Sequence, residues 1–184
     1  IDHCLVGSEM CIRDSSGTVA DFNSTEGVLF ADIAALNSTT ENQISICLSN
    51  SGGSDRLLLF FSSSSNAMQA QFRKNSSTYV AISTGVVKTN QNKVAMSWKS
   101  GKNVLFVNGV KATSYGTGSE TTATTFDEGD IVSLQFSPGK NFTSNYFFGK
   151  TKQLEVYKTG FSDDQLIRLT GTLGTHFFES YASM

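Results

Sequence analysis

Two tight-turn signals, Ser100-Gly101 and Asn108-Gly109, divide residues 93–115 into three short runs of β-forming residues. Every second position of the first run, up to Trp98, is large and apolar, and this period of two places one face of a strand on a core. Asn-Gly between apolar runs is a strong hairpin signal, because both central residues of a type I′ turn need a positive φ. The block therefore predicts a β-meander with Trp98 in the core.

Strand-like segments separated by Ser-, Gly- and Asn-rich turns occur on both sides of the meander. Turn signals at this spacing are typical of an all-β sandwich or barrel. The continuous apolar run at 57–61 is typical of a strand covered on both faces, whereas the Thr- and Gly-rich stretch 116–130 predicts a long loop. The chain of 184 residues fits one domain with a two-layer core. The remaining predicted strands lie at 27–36, 43–49, 68–73, 79–83, 132–136 and 146–158.

One short helix is predicted late in the chain, between Ser162 and Gly171. Ser162 can cap its N-terminus together with Gln165 at the third helical position, an arrangement known as a capping box. Asp163 and Asp164 complement the positive end of the helix dipole, and Gly171 can end the helix in a left-handed cap. The apolar residues that would dock the helix on a sheet are Leu166, Ile167 and Leu169.

The first fourteen residues differ in composition from the rest of the chain. The string Cys-Leu-Val-Gly-Ser-Glu-Met-Cys-Ile-Arg-Asp resembles translated sequencing-adapter read-through, and such scars are excluded before a fold is argued. We therefore expect 1–14 to be a sequencing artefact and 15–171 to be the folded domain. Residues 172–184 form a C-terminal tail for which truncation is an open alternative.

Without that segment, only Cys47 and His176 remain of the cysteines and histidines. One cysteine and one distant histidine cannot form a tetrahedral zinc site, which needs four ligands or three and a water. Cys47 alternates with Ile46 and Leu48 in a predicted strand, so it is expected to face away from the side that carries Ile44, Ile46 and Leu48. It is interpreted as a small sheet residue rather than a nucleophile.

The charge and hydropathy of the chain exclude two classes of partner. The formal net charge of −2 provides no broad cationic field for nucleic acid or anionic lipid. No apolar run approaches the roughly 20 residues that span a bilayer. We therefore expect no nucleic-acid partner and no membrane insertion.

The late helix and the meander together carry a family resemblance. A helix of the type Phe-Ser-Asp-Asp-Gln-Leu-Ile-Arg-Leu after a strand, preceded by a Trp-containing meander that ends in Val-Asn-Gly, resembles the laminin-G and concanavalin A-like jelly-roll superfamily over 26–171. The segments 26–36, 44–50 and 148–157 are similar to such domains in phage tail-fibre and other virion proteins. The resemblance implies an all-β, two-sheet antiparallel jelly-roll sandwich with one short C-terminal helix.

The resemblance also implies expectations about location and partners. Many members of the superfamily bind glycans, some at a calcium site on the rim of the sandwich. A virion or extracellular location, glycans on a host or cell surface as partners, and a homotrimer if the domain is part of a tail fibre follow as expectations. No ligand motif of the family maps onto this chain, so no ligand-binding residue is carried over.

The densest acidic group, Asp127, Glu128 and Asp130, is the one candidate metal site. Oxygen ligands in a loop suit a hard cation such as calcium, although a shell of six to eight oxygens needs further ligands. Three acidic residues in a loop are also commonly no more than solvated charge, and both interpretations stay open.

Catalysis is not indicated by the sequence. Retaining glycoside hydrolases of this fold need two carboxylates about 5 Å apart, and the motif Glu-x-Asp-x-x-Glu does not occur. We therefore predict a non-enzymatic carbohydrate-binding or adhesion module, with a spacer or trimerising module of a fibre as the alternative. A glycoside hydrolase of the same fold is disfavoured by the missing motif.

The predicted binding surface stays open at this point. The polar residues that alternate outward fit either a solvated sheet face or a glycan-binding surface. The candidates for that surface are Gln69, Gln71, Arg73, Lys93 and Lys99, and the candidate aromatic platforms are Tyr79, Tyr115 and Tyr146.

Overall fold

Two antiparallel sheets and one helix form the described part of the molecule. The structure is a computed structural model that describes residues 22–36, 45–50, 53–62, 65–75, 77–118, 126–137, 147 and 149–171. The artefact expected at 1–14 and the tail expected at 172–184 lie outside these residues. The strands are β1 Glu26–Ala35, β2 Ser45–Ser49, β3 Arg56–Phe61, β4 Ala67–Lys74, β5 Ser77–Thr84, β6 Asn92–Lys99, β7 Lys102–Val107, β8 Val110–Lys111, β9 Ser114–Thr117, β10 Ser133–Gln135 and β11 Gly149–Tyr157, and the helix is α1 Asp163–Thr170.

The strands are arranged as a two-layer sandwich. One sheet has the order β11-β1-β6-β7-β8 and the other has the order β10-β2-β3-β4-β5-β9. Alternate apolar residues from both sheets form one core between them. Trp98 is fully buried in this core, and its indole Nε1 donates a hydrogen bond to the carbonyl oxygen of Asn23 at 3.2 Å. The prediction that Trp98 is a core residue is therefore confirmed, and its burial leaves no exposed ring face for stacking on a sugar.

The predicted meander is present as β6, β7 and β8. Asn108 and Gly109 have φ values of 51° and 82°, as a type I′ turn requires. In the β6–β7 turn, Gly101 has a positive φ of 78°. The third predicted run is divided, because the chain leaves the five-stranded sheet after β8 and joins the six-stranded sheet as β9. The loop predicted from Gly116 onward thus begins too early, since an edge strand tolerates a glycine that a sequence pattern treats as a breaker.

The helix confirms the predicted capping box. Gln165 N donates to Ser162 Oγ at 3.3 Å, and Ser162 N donates to Gln165 Oε1 at 2.8 Å. Leu166 is buried against the outer face of the five-stranded sheet, where Ile167 and Leu169 also pack. That part of the prediction is confirmed as well.

The helix C-terminus differs from the prediction of a left-handed cap. Gly171 has φ −68° and ψ 152°, which is extended backbone, and its N–H donates to the carbonyl oxygen of Ile167 at 2.7 Å. A Cβ at this position would lie 2.8 Å from that same oxygen. Glycine is therefore required here because a side chain would clash with the carbonyl oxygen of Ile167, and not because the backbone is left-handed.

Cys47 faces away from Ile46 and Leu48, as predicted, but the face that it occupies is also buried. Its side chain packs with Leu58 and Phe60 on the outer side of the six-stranded sheet, so β3 is covered on both faces. Burial raises the pKa of the Cys47 thiol to about 12. The thiol is therefore protonated at neutral pH, which agrees with a packing role.

Of the described helices, none is long and apolar enough to cross a membrane.

Candidate functional site

A row of polar side chains crosses the outer face of the six-stranded sheet. The cross-strand partners are Ser133 with Ser49, Ser49 with Arg56, Arg56 with Arg73, and Arg73 with Thr78. The strand neighbours of these residues, such as Leu57 and Phe72, belong to the core between the sheets. Because successive side chains of a strand point to opposite faces, the five residues share the outer face. We call them the arginine row.

The two arginines of the row lie directly opposite each other on β3 and β4, and both are half-buried. Like charges in such a cross-strand pair destabilise a sheet. Burial lowers the pKa of Arg56 from its ordinary value, and the neighbouring charge of Arg73 lowers it further, although the thiolate that Cys47 forms at high pH acts in the opposite direction. The proximity of these two like charges therefore opposes folding rather than favouring it.

The sheet that carries the arginine row has no acidic residue in its strands. The six strands contain Arg56, Arg73 and Lys74 but no Asp or Glu. Arg73 forms no salt bridge with any residue that the structure describes. The salt bridges among those residues are formed by Lys74, Lys102 and Lys111. This outer face is therefore suited to an anion, since guanidinium groups bind carboxylates in a planar, two-pronged geometry.

Amide and apolar side chains lie next to the arginine row. Gln71 accepts a hydrogen bond from Arg56 Nε through its Oε1 at 3.0 Å. On β5, Val80 and Ile82 are half-buried opposite Gln71 and Gln69. On the neighbouring strand β9, a Cβ at Gly116 would lie 3.2 Å from Ile82 Cδ1, so glycine keeps this apolar strip open. The face thus combines cationic, amide and apolar groups, which is the mixture that a sugar-binding surface needs.

The three acidic residues predicted from the sequence lie in a turn at the rim of the sandwich. Asp127 and Asp130 each accept a hydrogen bond from Lys74 Nζ at 2.6 Å, and Asp130 Oδ2 also accepts one from the backbone N–H of Asp127 at 2.7 Å. Burial lowers the pKa of Lys74, but its hydrogen bonds to the two aspartates outweigh this effect and raise the pKa. The structure therefore gives these carboxylates an ammonium partner.

Glu128 is exposed, and it lines a depression rather than forming a salt bridge with Lys74. With Gly129 and the segment 22–25 it lines a shallow depression of about 270 Å³. Over the part of the chain that the structure describes, no group of three or more His, Cys, Asp or Glu side chains could hold a metal ion. A calcium site at Asp127, Glu128 and Asp130 stays a prediction, and the described contacts favour an ion pair at this rim.

The outward-facing residues predicted as one possible surface are divided between the two sheets. Gln69, Gln71 and Arg73 lie on the outer face of the six-stranded sheet, whereas Lys93 and Lys99 lie on strand β6 of the other sheet. Sequence reasoning missed Arg56, which immediately precedes the apolar run 57–61. The signal that could have found Arg56 is alternation along the strand. Arg56 lies two residues before Leu58, so the two side chains share one face of a strand predicted to be covered on both faces.

Of the three candidate aromatic platforms, one is buried, one is exposed at a sheet edge and one lies outside the described residues. Tyr79 is buried in the core, where its ring lies 5.3 Å from that of Phe72 and 5.7 Å from that of Tyr115. Tyr115 is 39% exposed at the sheet edge. Tyr146 lies outside the described residues. The arginine row, rather than an aromatic ring, is therefore the main feature of the candidate site.

Comparison with known proteins identifies the fold. No family model and no curated protein matches the chain. Among solved structures, the CBM40 domain of the Ruminococcus gnavus IT-sialidase matches with a TM-score of 0.61 and 19% identity, over 82% of this chain and 85% of that chain. The same domain bound to α2,3-sialyllactose matches with a TM-score of 0.58 and 19% identity, over 80% and 83%. A leech intramolecular trans-sialidase matches with a TM-score of 0.57 and 18% identity, over 81% of this chain.

These likenesses confirm the predicted fold class, a two-sheet antiparallel jelly-roll sandwich of the concanavalin A-like type with one short C-terminal helix. This chain covers most of the isolated CBM40 domain but only 24% of the leech enzyme chain. The structures named above are a trans-sialidase and a domain of a sialidase, and they show no link to phage proteins.

Proposed function

We propose that this chain is a non-enzymatic carbohydrate-binding domain that holds an acidic sugar of a glycan on the arginine row. The observation that carries the proposal is the pair Arg56 and Arg73, half-buried and directly opposite each other on a sheet whose strands contain no carboxylate. A ligand carboxylate between them would relieve the repulsion of like charges and accept charge-assisted hydrogen bonds.

The solved structures support an acidic sugar as the ligand. The R. gnavus CBM40 domain that shares this fold is bound to α2,3-sialyllactose in one structure and to α2,6-sialyllactose in another. The terminal sugar of both ligands carries a carboxylate. We therefore infer a sialylated glycan as the ligand class of this chain, with Val80 and Ile82 available to contact the apolar parts of the sugar.

The same face argues against catalysis in the proposed site. Retaining glycosidases place two carboxylates about 5 Å apart at the scissile bond, and the six strands of this sheet provide none. Binding without cleavage is the function that these residues support.

The test is a binding titration of the full chain with 3′-sialyllactose, with lactose as the uncharged control. We expect measurable binding of the sialylated sugar and none of lactose. Arg73→Ala is expected to weaken binding at least tenfold, because one charge-assisted contact to a carboxylate is lost. The matched control is Arg168→Ala, since Arg168 is exposed on α1 over the other sheet. Equal affinity of Arg73→Ala and wild type would remove the arginine row from the binding site.

A virion or extracellular location, a place in a phage tail fibre and assembly as a homotrimer are further proposals from the sequence resemblance alone. Sedimentation of the purified chain tests the homotrimer directly. If folded protein binds no acidic glycan in the titration, the alternative of a spacer or trimerising module gains support instead.

A further inference from the structure

Gln71 lies beside the arginine row, two residues before Arg73 on β4 and on the same outer face. Its Oε1 accepts the hydrogen bond of Arg56 Nε at 3.0 Å. A guanidinium group only donates hydrogen bonds, so the amide oxygen of Gln71 has to face Arg56. The amide nitrogen Nε2, which is bonded to the same carbon, is therefore directed away from Arg56.

This orientation gives the outer face a neutral donor next to two cationic ones. Turning the amide over would bring its N–H groups against the N–H of Arg56 and would replace a hydrogen bond by two opposed donors. Within the described residues, Nε2 of the half-buried Gln71 has no hydrogen-bond partner. The Arg73 guanidinium and this amide thus present donors, on a sheet whose strands supply no carboxylate acceptor.

We propose that Gln71 makes the arginine row selective for ligands in which an uncharged hydrogen-bond acceptor lies close to a carboxylate. The arginines hold the carboxylate, and a carbonyl or hydroxyl oxygen of the same sugar accepts the N–H of Gln71. Two residues along a strand span about 7 Å, so both groups fit within one sugar ring and its substituents. The inference rests on the proposed function and adds a residue that reads the uncharged part of the ligand.

Gln69 provides the matched control for Gln71. It lies two residues earlier on the same strand, it faces the same side, and it is also half-buried opposite an apolar residue of β5. Arg56 donates its Nε hydrogen bond to Gln71 and not to Gln69. If ligand selectivity depends on the amide that Arg56 orients, substitution of Gln71 should change the selectivity and substitution of Gln69 should not.

The experiment measures the affinity of the full chain for two probes. The first probe is 3′-sialyllactose, which has a carboxylate with amide and hydroxyl oxygens nearby, and the second is cyclohexanecarboxylate, which has a carboxylate on a six-membered ring and no other oxygen. We expect wild type to prefer the first probe and Gln71→Ala to reduce this preference about tenfold, the effect of one lost hydrogen bond. Gln69→Ala should keep the preference within about twofold, and Arg73→Ala should weaken both probes alike.

The possible outcomes separate this inference from the proposed function. If Gln71→Ala weakens both probes equally, or matches Gln69→Ala, the selectivity assigned to Gln71 is wrong although the binding function stands. If folded wild type binds neither probe, the proposed function fails and the inference fails with it. Thermal unfolding of each variant shows whether a loss of binding has a cause other than misfolding.

Discussion

The outer faces of the two sheets differ in what covers them and in how their charges are arranged. On the five-stranded sheet, α1 buries an apolar cluster that includes Phe30, Phe106 and Leu166. At the helix N-terminus, Asp163 accepts hydrogen bonds from Lys102 and, at 3.2 Å, from Lys111. On the six-stranded sheet, Arg56, Arg73 and Thr78 of the arginine row are half-buried, its two serines are buried, and none of the strands carries an acidic residue.

The comparison shows that the two outer faces of one sandwich differ in how their charges are paired. The face beneath the helix matches each cationic side chain at the helix start with a carboxylate, as expected where a segment of the chain itself docks. The face with the arginine row concentrates donors without carboxylates of its own sheet, as expected where the partner is supplied from outside. Charge pairing therefore separates the internally packed face from the proposed binding face.

The largest expected effect concerns the core that both faces share. Trp98→Ala removes a fully buried indole, and we expect the free energy of unfolding to fall by about 3–5 kcal/mol. Both faces should be lost in one cooperative transition, measured by denaturant titration. The control is Val110→Ala, because Val110 is 65% exposed. A loss under about 1 kcal/mol would mean that the two sheets do not depend on a common core at Trp98.

The next prediction concerns the salt bridges beneath the helix, whose loss should leave the outer face of the six-stranded sheet unchanged. Asp163→Asn removes the carboxylate that joins the start of α1 to Lys102 and Lys111. The group is partly exposed, so we expect a loss of stability of about 1 kcal/mol or less and unchanged sugar binding. Asp164→Asn is the control, since Asp164 forms no salt bridge with a described residue. Weakened binding in Asp163→Asn would show that the two faces are coupled.

The same substitution has a pH signature. Burial opposes ionisation of Asp163, but its hydrogen bonds to Lys102 and Lys111 outweigh burial and lower its pKa. A carboxyl whose pKa is lower in the folded state contributes stability above its unfolded pKa, near 3.9, and this contribution is lost as the pH falls through the folded pKa. Melting curves from pH 7 down to pH 3 should therefore fall less steeply for Asp163→Asn than for wild type. Parallel curves would contradict this assignment.

The smallest expected change in stability concerns the arginine row. Arg73→Gln removes one of two like charges that lie directly opposite each other, and we expect stability to stay unchanged or to rise by a few tenths of a kcal/mol. Sugar binding should fall in the same variant. Destabilisation of more than about 1 kcal/mol would show that Arg73 belongs to the fold rather than to a binding surface.

Several elements could be predicted because their signals are local. The alternation that ends in Trp98, the Asn108-Gly109 turn and the capping box of Ser162 and Gln165 each depend on residues within one strand, turn or helix end. The cap at Gly171 was predicted with the wrong backbone conformation, because glycine also serves where two backbones approach closely.

The site depended on contacts between segments that are distant in the chain. Arg73 was recognised as outward-facing, but Arg56 was not, and no pattern along the chain states that the two lie opposite each other. The sequence by itself determined the all-β class, the meander and the helix, because turn chemistry and the period of two act over a few residues. The tertiary structure alone decided the arginine row and the Lys74 contacts to Asp127 and Asp130, because strand register is set by burial of whole apolar faces across the sheet.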